Sequence, residues 1–238
     1  MTRRRWIADE VFGSRAALIG AHAAHLSRVL RARVGQEFDI VTGPLVRRGR
    51  IVAIADDRVE FELGEEVPAP VLPDVTLLLA IFKFDRMDWA IEKCTELGVA
   101  RIVPVIARRS DAHLATAAVK RVERWRRVAH QASEQARRLV PPEVSEPMML
   151  DKAVKMVGEL RILLSETERA ISMKGASRQS HSKDHVLLAV GPEGGWTSEE
   201  AESFATAGWI PAHLGQTILR AETAAIAAVA VVMAEAQE

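Results

Sequence analysis

Two features of the 238-residue chain predict an α/β protein built in two parts. From about residue 75 onward, short apolar runs alternate with segments whose apolar residues recur at helical spacing, the pattern that lays helices against a parallel sheet. Ahead of that point, 65–74 puts three prolines into ten positions, which disfavours both helix and central strand and marks a boundary. Domains of 1–72 and 73–238 are expected.

In the first part, 37–41, 49–55 and 58–63 read as short strands separated by turns such as Thr42-Gly43-Pro44 and Ala55-Asp56-Asp57, and a small β-barrel fits them. A helix over 21–31 precedes them and brings His22, His25, Arg28 and Arg31 within reach of one another, with Arg47, Arg48 and Arg50 adding charge in the barrel. A solvated charged face and an RNA-binding surface are both open readings of that segment.

In the second part, 75–82 reads as a buried strand, 85–97 as a helix closed by Gly98, and 101–106 as another strand. The helix over 119–138 places Val122, Trp125, Ala129, Ala132 and Ala136 on an inner stripe and Arg124, Arg127, Gln131, Gln135 and Arg138 on another, with Pro141-Pro142 ending it. Asp151 opens a further helix to 158, 161–165 is a short strand, and the polar stretch 173–184, which shows no periodicity, is expected to be a mobile loop. A strand over 185–190, a helix over 198–207 with Thr197 and Glu200 as a capping box and Gly208 at its end, a strand over 209–214 and a helix over 221–235 complete the order.

Composition narrows the function. One cysteine, Cys94, excludes an internal disulfide framework and a cysteine-rich zinc site and fits a reducing compartment, so the cytoplasm is expected. The basic start of the chain meets Asp9-Glu10 where a secretory signal needs an apolar stretch, and the apolar run 224–234 is too short and alanine-rich to span a membrane. Net charge is zero, yet 101–138 holds ten Arg/Lys against three Asp/Glu, and Arg outnumbers Lys 25 to 7. Arginine grips phosphate with a planar fork and stacks on bases, so this basic middle suits an anionic partner. The seven histidines form no metal-binding spacing, and no metal is expected. A P-loop, a dinucleotide fingerprint and a G-x-S-x-G elbow are all missing.

The remaining chemistry lies in two glycine-hinged loops at strand ends: Gly191-Pro192-Glu193-Gly194-Gly195, then Leu214-Gly215-Gln216-Thr217-Ile218-Leu219-Arg220-Ala221-Glu222-Thr223. Glycine lets a flat ligand lie against the main chain and be read by backbone N–H and C=O groups, as adenine-containing cofactors require.

Ordered motifs then carry a resemblance. Lys83-x-Asp85-Arg86-Met87-Asp88-Trp89-x-Ile91-x-Lys93-x-Thr95-Glu96-Leu97-Gly98-Val99, Glu123-Arg124-Trp125, Glu134-Gln135, Arg138 and both glycine loops are similar to the bacterial 16S rRNA (uracil-N3)-methyltransferases of the SPOUT superfamily. Val29-Leu30-Arg31 and Val34-Gly35 resemble that family's N-terminal PUA-like domain, so the likeness covers nearly the whole chain.

The resemblance implies a trefoil-knotted parallel-sheet domain behind a PUA-like RNA-binding β-barrel, S-adenosylmethionine in the knot, a homodimer, and methylation of a uridine in 16S rRNA of the small ribosomal subunit. It implies a cofactor site of Leu164, Val190, Gly191, Pro192, Glu193, Gly194, Gly195, Leu214, Gly215, Ile218, Leu219, Arg220, Glu222 and Thr223. It likewise implies RNA contacts at His25, Arg28, Arg31, Lys83, Arg86, Arg124, Arg127 and Arg138.

Uracil N3 must lose a proton, so the catalytic candidates are Arg220 to stabilise the anionic base, Glu193 to take the proton, and Arg138 to position RNA from the partner subunit. Competing jobs stay open: Glu193 bonding backbone in a tight turn, Thr223 with Glu222 capping the last helix, and Arg138 meeting the carbonyls at its helix end. Thr217, Arg137, Trp196 and Phe84 depart from the family pattern. Another SPOUT target (ribose 2′-O or guanine N1) and a non-catalytic RNA-binding assembly factor are the alternative functions.

Overall fold

The computed structural model describes residues 5–43, 45–68, 73–179 and 185–235. They fall into two compact units, one within 1–71 together with 137–140, the other within 72–136 and 141–238.

The first unit contains β1 (Arg5–Ile7), β2 (Glu10–Phe12), β3 (Arg15–Ile19), the helix α1 (Gly20–Ala24), β4 (Glu37–Thr42), β5 (Leu45–Ile54) and β6 (Arg58–Glu66). They form a six-stranded sheet in the order β1-β4-β5-β6-β3-β2, antiparallel except for the β1–β4 pair. Trp6, Leu18, Leu26, Ile40, Ile51, Val59 and Phe61 fill its core. The helix expected over 21–31 is α-helical only to Ala24; a π-helical turn, His25–Val29, follows, and Arg31 ends the segment at φ 52. Arg137, in the same unit, also lies in the left-handed region at φ 56 and stacks its guanidinium over the Trp6 ring at 4.6 Å. The expected turn residue Pro44 and positions 69–72 of the boundary lie outside the described residues.

The second unit runs β7 (Asp74–Ala80), α2 (Phe84–Leu97), β8 (Arg101–Ile106), α3 (Ala112–Gln135), β9 (Glu143–Val144), β10 (Met148–Met149), α4 (Leu150–Ala153), β11 (Leu160–Leu164), α5 (Met173–Ser177), β12 (His185–Val190), α6 (Ser198–Thr206), β13 (Ile210–Ala212) and α7 (Ala221–Glu235). All strand pairs are parallel, in the order β10-β8-β7-β12-β11-β13 with β9 also on β8, which is the α/β architecture the sequence predicts. Alternate residues of the strands feed two cores. Leu77 and Leu79 of β7 face α2, α3 and α7 through Met87, Ile91, Trp125 and Val229, whereas Leu78 joins Val103, Leu187, Phe204 and Trp209 on the opposite face. Covering both faces explains why β7 reads as an unbroken apolar run.

Several local expectations are corrected. Asp111, not a residue near 119, opens α3, because its carboxylate accepts from the N–H groups of His113 and Leu114 at 2.8 and 3.1 Å. The expected helix over 151–158 is a single turn, Leu150–Ala153. Within the expected loop 173–184, Met173–Ser177 is a helix whose Met173, Ala176 and Ser177 are buried, with Ser172 as its cap; 180–184 lie outside the described residues. The Thr197/Glu200 capping box forms, and Gly98 and Gly208 end their helices at φ 111 and 79. Among the described residues, no helix is long and apolar enough to cross a membrane.

Candidate functional site

The chain builds β8, β9 and β10 on one side of β7 and then crosses to β11 on the other side, and β12 lies between β7 and β11. Open α/β sheets bind ligands outside the carboxyl ends of their strands at such a crossing. There the second unit holds a cavity of about 870 Å³, lined by the ends of β11, β12 and β13 at Leu164, Val190 and Ala212, by both glycine loops, and by Lys83, Arg86 and Arg109 beyond β7 and β8.

The first loop, 191–195, turns tightly: Gly195 N–H donates to Pro192 C=O at 2.8 Å, and Gly195 takes φ 68. Arg109 props it from one side, donating from Nη1 to the carbonyls of Gly194 (2.6 Å) and Trp196 (3.3 Å). Gly191 faces the Trp196 ring so closely that a Cβ there would meet Cε2 at 3.1 Å. Trp196 in turn donates from Nε1 to the Leu164 carbonyl at 3.1 Å, tying the loop to the end of β11, and packs edge-on against Phe204 at 5.0 Å. The buried Glu200 completes this wall: one oxygen accepts from Thr197 N–H, closing the capping box, and the other from Arg108 N–H, each at 2.8 Å.

The second loop leaves β13 through Gly215, whose φ of 122 is a conformation that a side chain would strain and whose N–H donates to His213 Nδ1 at 3.0 Å. Its Ile218 is 83% exposed, an apolar side chain at the cavity rim. The loop passes into α7 at Arg220, whose carbonyl accepts from Ala224 N–H at 2.8 Å. Thr223 therefore sits inside the first helical turn, and the expectation that it caps α7 is corrected. Glu193 of the first loop does not bond its own turn: Arg86 donates from Nη1 to its Oε1 at 2.6 Å. Cationic Lys83, Arg86, Arg109, Arg169 and Arg220 outnumber anionic Glu166 and Glu193 around the cavity, an excess of positive charge that suits a phosphate-bearing partner.

Comparison with known proteins fits this geometry. The RNA methyltransferase domain family matches residues 69–233. The chain belongs to that family. Relatives called ribosomal RNA small subunit methyltransferase E include one from Synechocystis sp., 32% identical over 93% of this chain and 74% of the relative, and one from Mycobacterium tuberculosis, 33% identical over 92% and 86%. Among solved structures, the Neisseria gonorrhoeae protein of that name, bound to S-adenosyl methionine, aligns with a TM-score of 0.72 at 29% identity over 98% of each chain. A Legionella pneumophila protein described as a putative methyltransferase in complex with the cofactor SAM aligns with a TM-score of 0.70 at 26% identity over 99% and 98%.

Within this family member, Leu164, Val190, Gly191, Pro192, Glu193, Gly194, Gly195, Leu214, Gly215, Ile218, Leu219, Arg220, Lys83 and Arg86 all line one cavity. Glu222 and Thr223 do not: Glu222 is 2% exposed, and Thr223 is exposed. Arg124 of α3 holds Asp88 of α2 at 2.7 Å, and Arg127 is exposed one position beyond Arg126. His25, Arg28, Arg31 and Arg138 belong to the first unit, where burial lowers the pKa of the Arg138 guanidinium. Arg109, Arg169 and the 165–167 segment are cavity residues that sequence reasoning missed. Arg109 was findable: it follows the end of β8 by three residues, where strand-end chemistry collects in such sheets. Among the described residues, no group of His, Cys, Asp and Glu could hold a metal ion.

Proposed function

We propose that the chain uses S-adenosylmethionine to methylate N3 of a specific uridine in 16S rRNA of the small ribosomal subunit, in the cytoplasm. The observation that carries this reading is the convergence of both glycine loops and three strand ends on one cavity, in a chain whose structural relatives hold that cofactor. The residues fit it. Gly191, Gly194 and Gly215 carry no side chain where a Cβ would either meet Trp196 and Arg109 or be strained, so an adenosine can approach the main chain closely there. The 191–195 and 214–220 loops with Leu164 would hold it.

When bound, the cofactor supplies an electrophilic methyl group on sulfur. The protein's part is alignment and charge. Arg220, between the second loop and α7, stabilises the uracil anion through an exocyclic oxygen. Glu193 accepts the N3 proton on the carboxylate that Arg86 holds at the cavity mouth. The cationic rim steers phosphate, and residues 1–72 form a PUA-like RNA-binding barrel with His25, Arg28 and Arg31, while 73–238 form the catalytic domain. Arg124, Arg127 and Arg138 extend the RNA surface, the last from the partner subunit.

The placement of β12 between β7 and β11 supports a SPOUT-type trefoil knot in the catalytic domain. A homodimer is supported by α7, which leaves Ala224, Ile226, Ala227, Ala230 and Val231 only partly covered. The test is nucleoside mass spectrometry of 16S rRNA after incubating small subunits with the purified protein and S-adenosylmethionine. The reading expects 3-methyluridine that depends on the protein; a 2′-O-methylated or N1-methylguanine product, or none, overturns it.

A further inference from the structure

We propose that Arg86 is a positioning residue that clamps the two cavity loops together: one guanidinium spans the Glu193 carboxylate of the first loop and the buried Glu222 carboxylate behind the second. The distances are 2.6 Å from Nη1 to Glu193 Oε1 and 3.7 Å from Nε to Glu222 Oε1. The inference deepens the reading of this cavity as a cofactor site and rests on it only for its effect on affinity.

Three observations lead to it. Glu222 is 2% exposed, and its Oε2 is buried without a hydrogen-bond partner, so the charge of this carboxylate leans on few neighbours. An isolated buried carboxylate is strongly disfavoured, and Arg86 is the cation that the structure places beside it. Next, the geometry calls for arginine. A planar fork presents separate nitrogens to two carboxylates at once, whereas a lysine ammonium is a single point at the end of a flexible chain. Finally, the anchor is rigid. Arg86 stands in the first turn of α2 and Glu222 in the first turn of α7, and both helices pack in one core through Met87, Ile91, Ala225 and Val229.

Glu193, by contrast, rides on a glycine-rich turn with no side-chain packing of its own at Gly194 and Gly195. Arg86 therefore refers the first loop to the start of α7, where the second loop ends, and sets the gap between the two walls. Arg109 holds the far side of the same loop by its carbonyls, so the loop is pinned from two directions.

The experiment compares the full chain with Arg86→Met, Arg86→Lys, Glu222→Gln and the double variant Arg86→Met/Glu222→Gln. Three quantities are read: amide hydrogen exchange of 191–196 and 214–220 without ligand, the thermal midpoint, and S-adenosylmethionine affinity by isothermal titration. The expectation for Arg86→Met is faster exchange in both loops, a lower midpoint and an affinity at least tenfold weaker. Arg86→Lys restores the midpoint in part and the affinity little. The double variant regains the midpoint, since the buried charge is gone, but not the affinity, since Glu193 is still unheld. Unchanged exchange in Arg86→Met overturns the clamp, and so does a double variant that regains affinity along with its midpoint. If the unaltered chain gives no heat with S-adenosylmethionine while Arg86→Met still loosens both loops, the cofactor reading fails and the clamp stands.

Discussion

Gly191→Ala isolates packing of the first loop from backbone strain, because Gly191 does not occupy the left-handed region and alanine can adopt its conformation. The new methyl carbon would lie 3.1 Å from Trp196 Cε2 and 3.2 Å from Nε1, a few tenths of an ångström inside ordinary contact. Trp196 has little freedom to yield. Its ring is backed by Phe204 at 5.0 Å, and its Nε1–H bond to Leu164 C=O fixes its tilt. Displacing it loses that bond, worth about 0.5–1.5 kcal/mol, and adds overpacking strain of about 1–3 kcal/mol. A net destabilisation of about 2 kcal/mol is expected, which lowers the thermal midpoint by about 4–8 °C in a protein of this size. Denaturant unfolding of Gly191→Ala, Trp196→Phe and the double variant measures it, the smaller ring relieving the contact so that the two changes couple by about 1 kcal/mol or more. A Gly191→Ala protein within 0.5 kcal/mol of the unaltered chain, or strict additivity in the cycle, would refute the argument that Trp196 shapes this loop.

Arg220→Ala is expected to bind S-adenosylmethionine nearly unchanged and to lose about 100-fold in kcat, as when one oxyanion donor is removed; full turnover at unaltered affinity would show that Arg220 does not stabilise the base. Glu235 at the end of α7 is tied to Arg178 at 2.6 Å and to Lys174 at 3.3 Å, and the Arg178 hydrogen bond chiefly holds its carboxyl below the usual value of 4.5. A depressed folded pKa contributes stability above the ordinary value that is lost as pH falls through the folded one. The midpoint difference between the chain and Glu235→Gln should therefore be widest near neutrality and close in acid; a difference independent of pH would contradict the pairing. Burial raises the Cys94 thiol to about 12, so an aromatic disulfide reagent should leave it untouched in the native protein and react fully after unfolding.

The second unit was legible because its signals are local and redundant. His185–Val190 and Arg101–Ile106 are continuous apolar runs, the Thr197/Glu200 box is a four-residue pattern, and Trp125 sits on an inner stripe whose periodicity alone predicts its burial. The two glycine loops stood out because strand ends and bare backbone are both visible in a sequence. What stayed hidden depends on partners far along the chain. β1, β2 and β3 are three to five residues long, and β1 becomes a strand only by pairing with β4, more than thirty positions away. Met173–Ser177 looks polar, yet its Met173 and Ala176 find the core beside β11 and β13, which no window around them announces. The charges behave in the same way. Arg124 and Arg86 read in the sequence only as charges for RNA, and only tertiary structure shows that Arg124 also holds Asp88 and that Arg86 stands beside Glu193 and Glu222.

The central claim is that the space between 191–195 and 214–220 holds S-adenosylmethionine, and soaking that compound into crystals of the chain tests it most directly. The account predicts adenosine density lying against the main chain of both loops beside Leu164. Density at another place on the protein, or loops closed on each other so that no adenosine can enter, would contradict it.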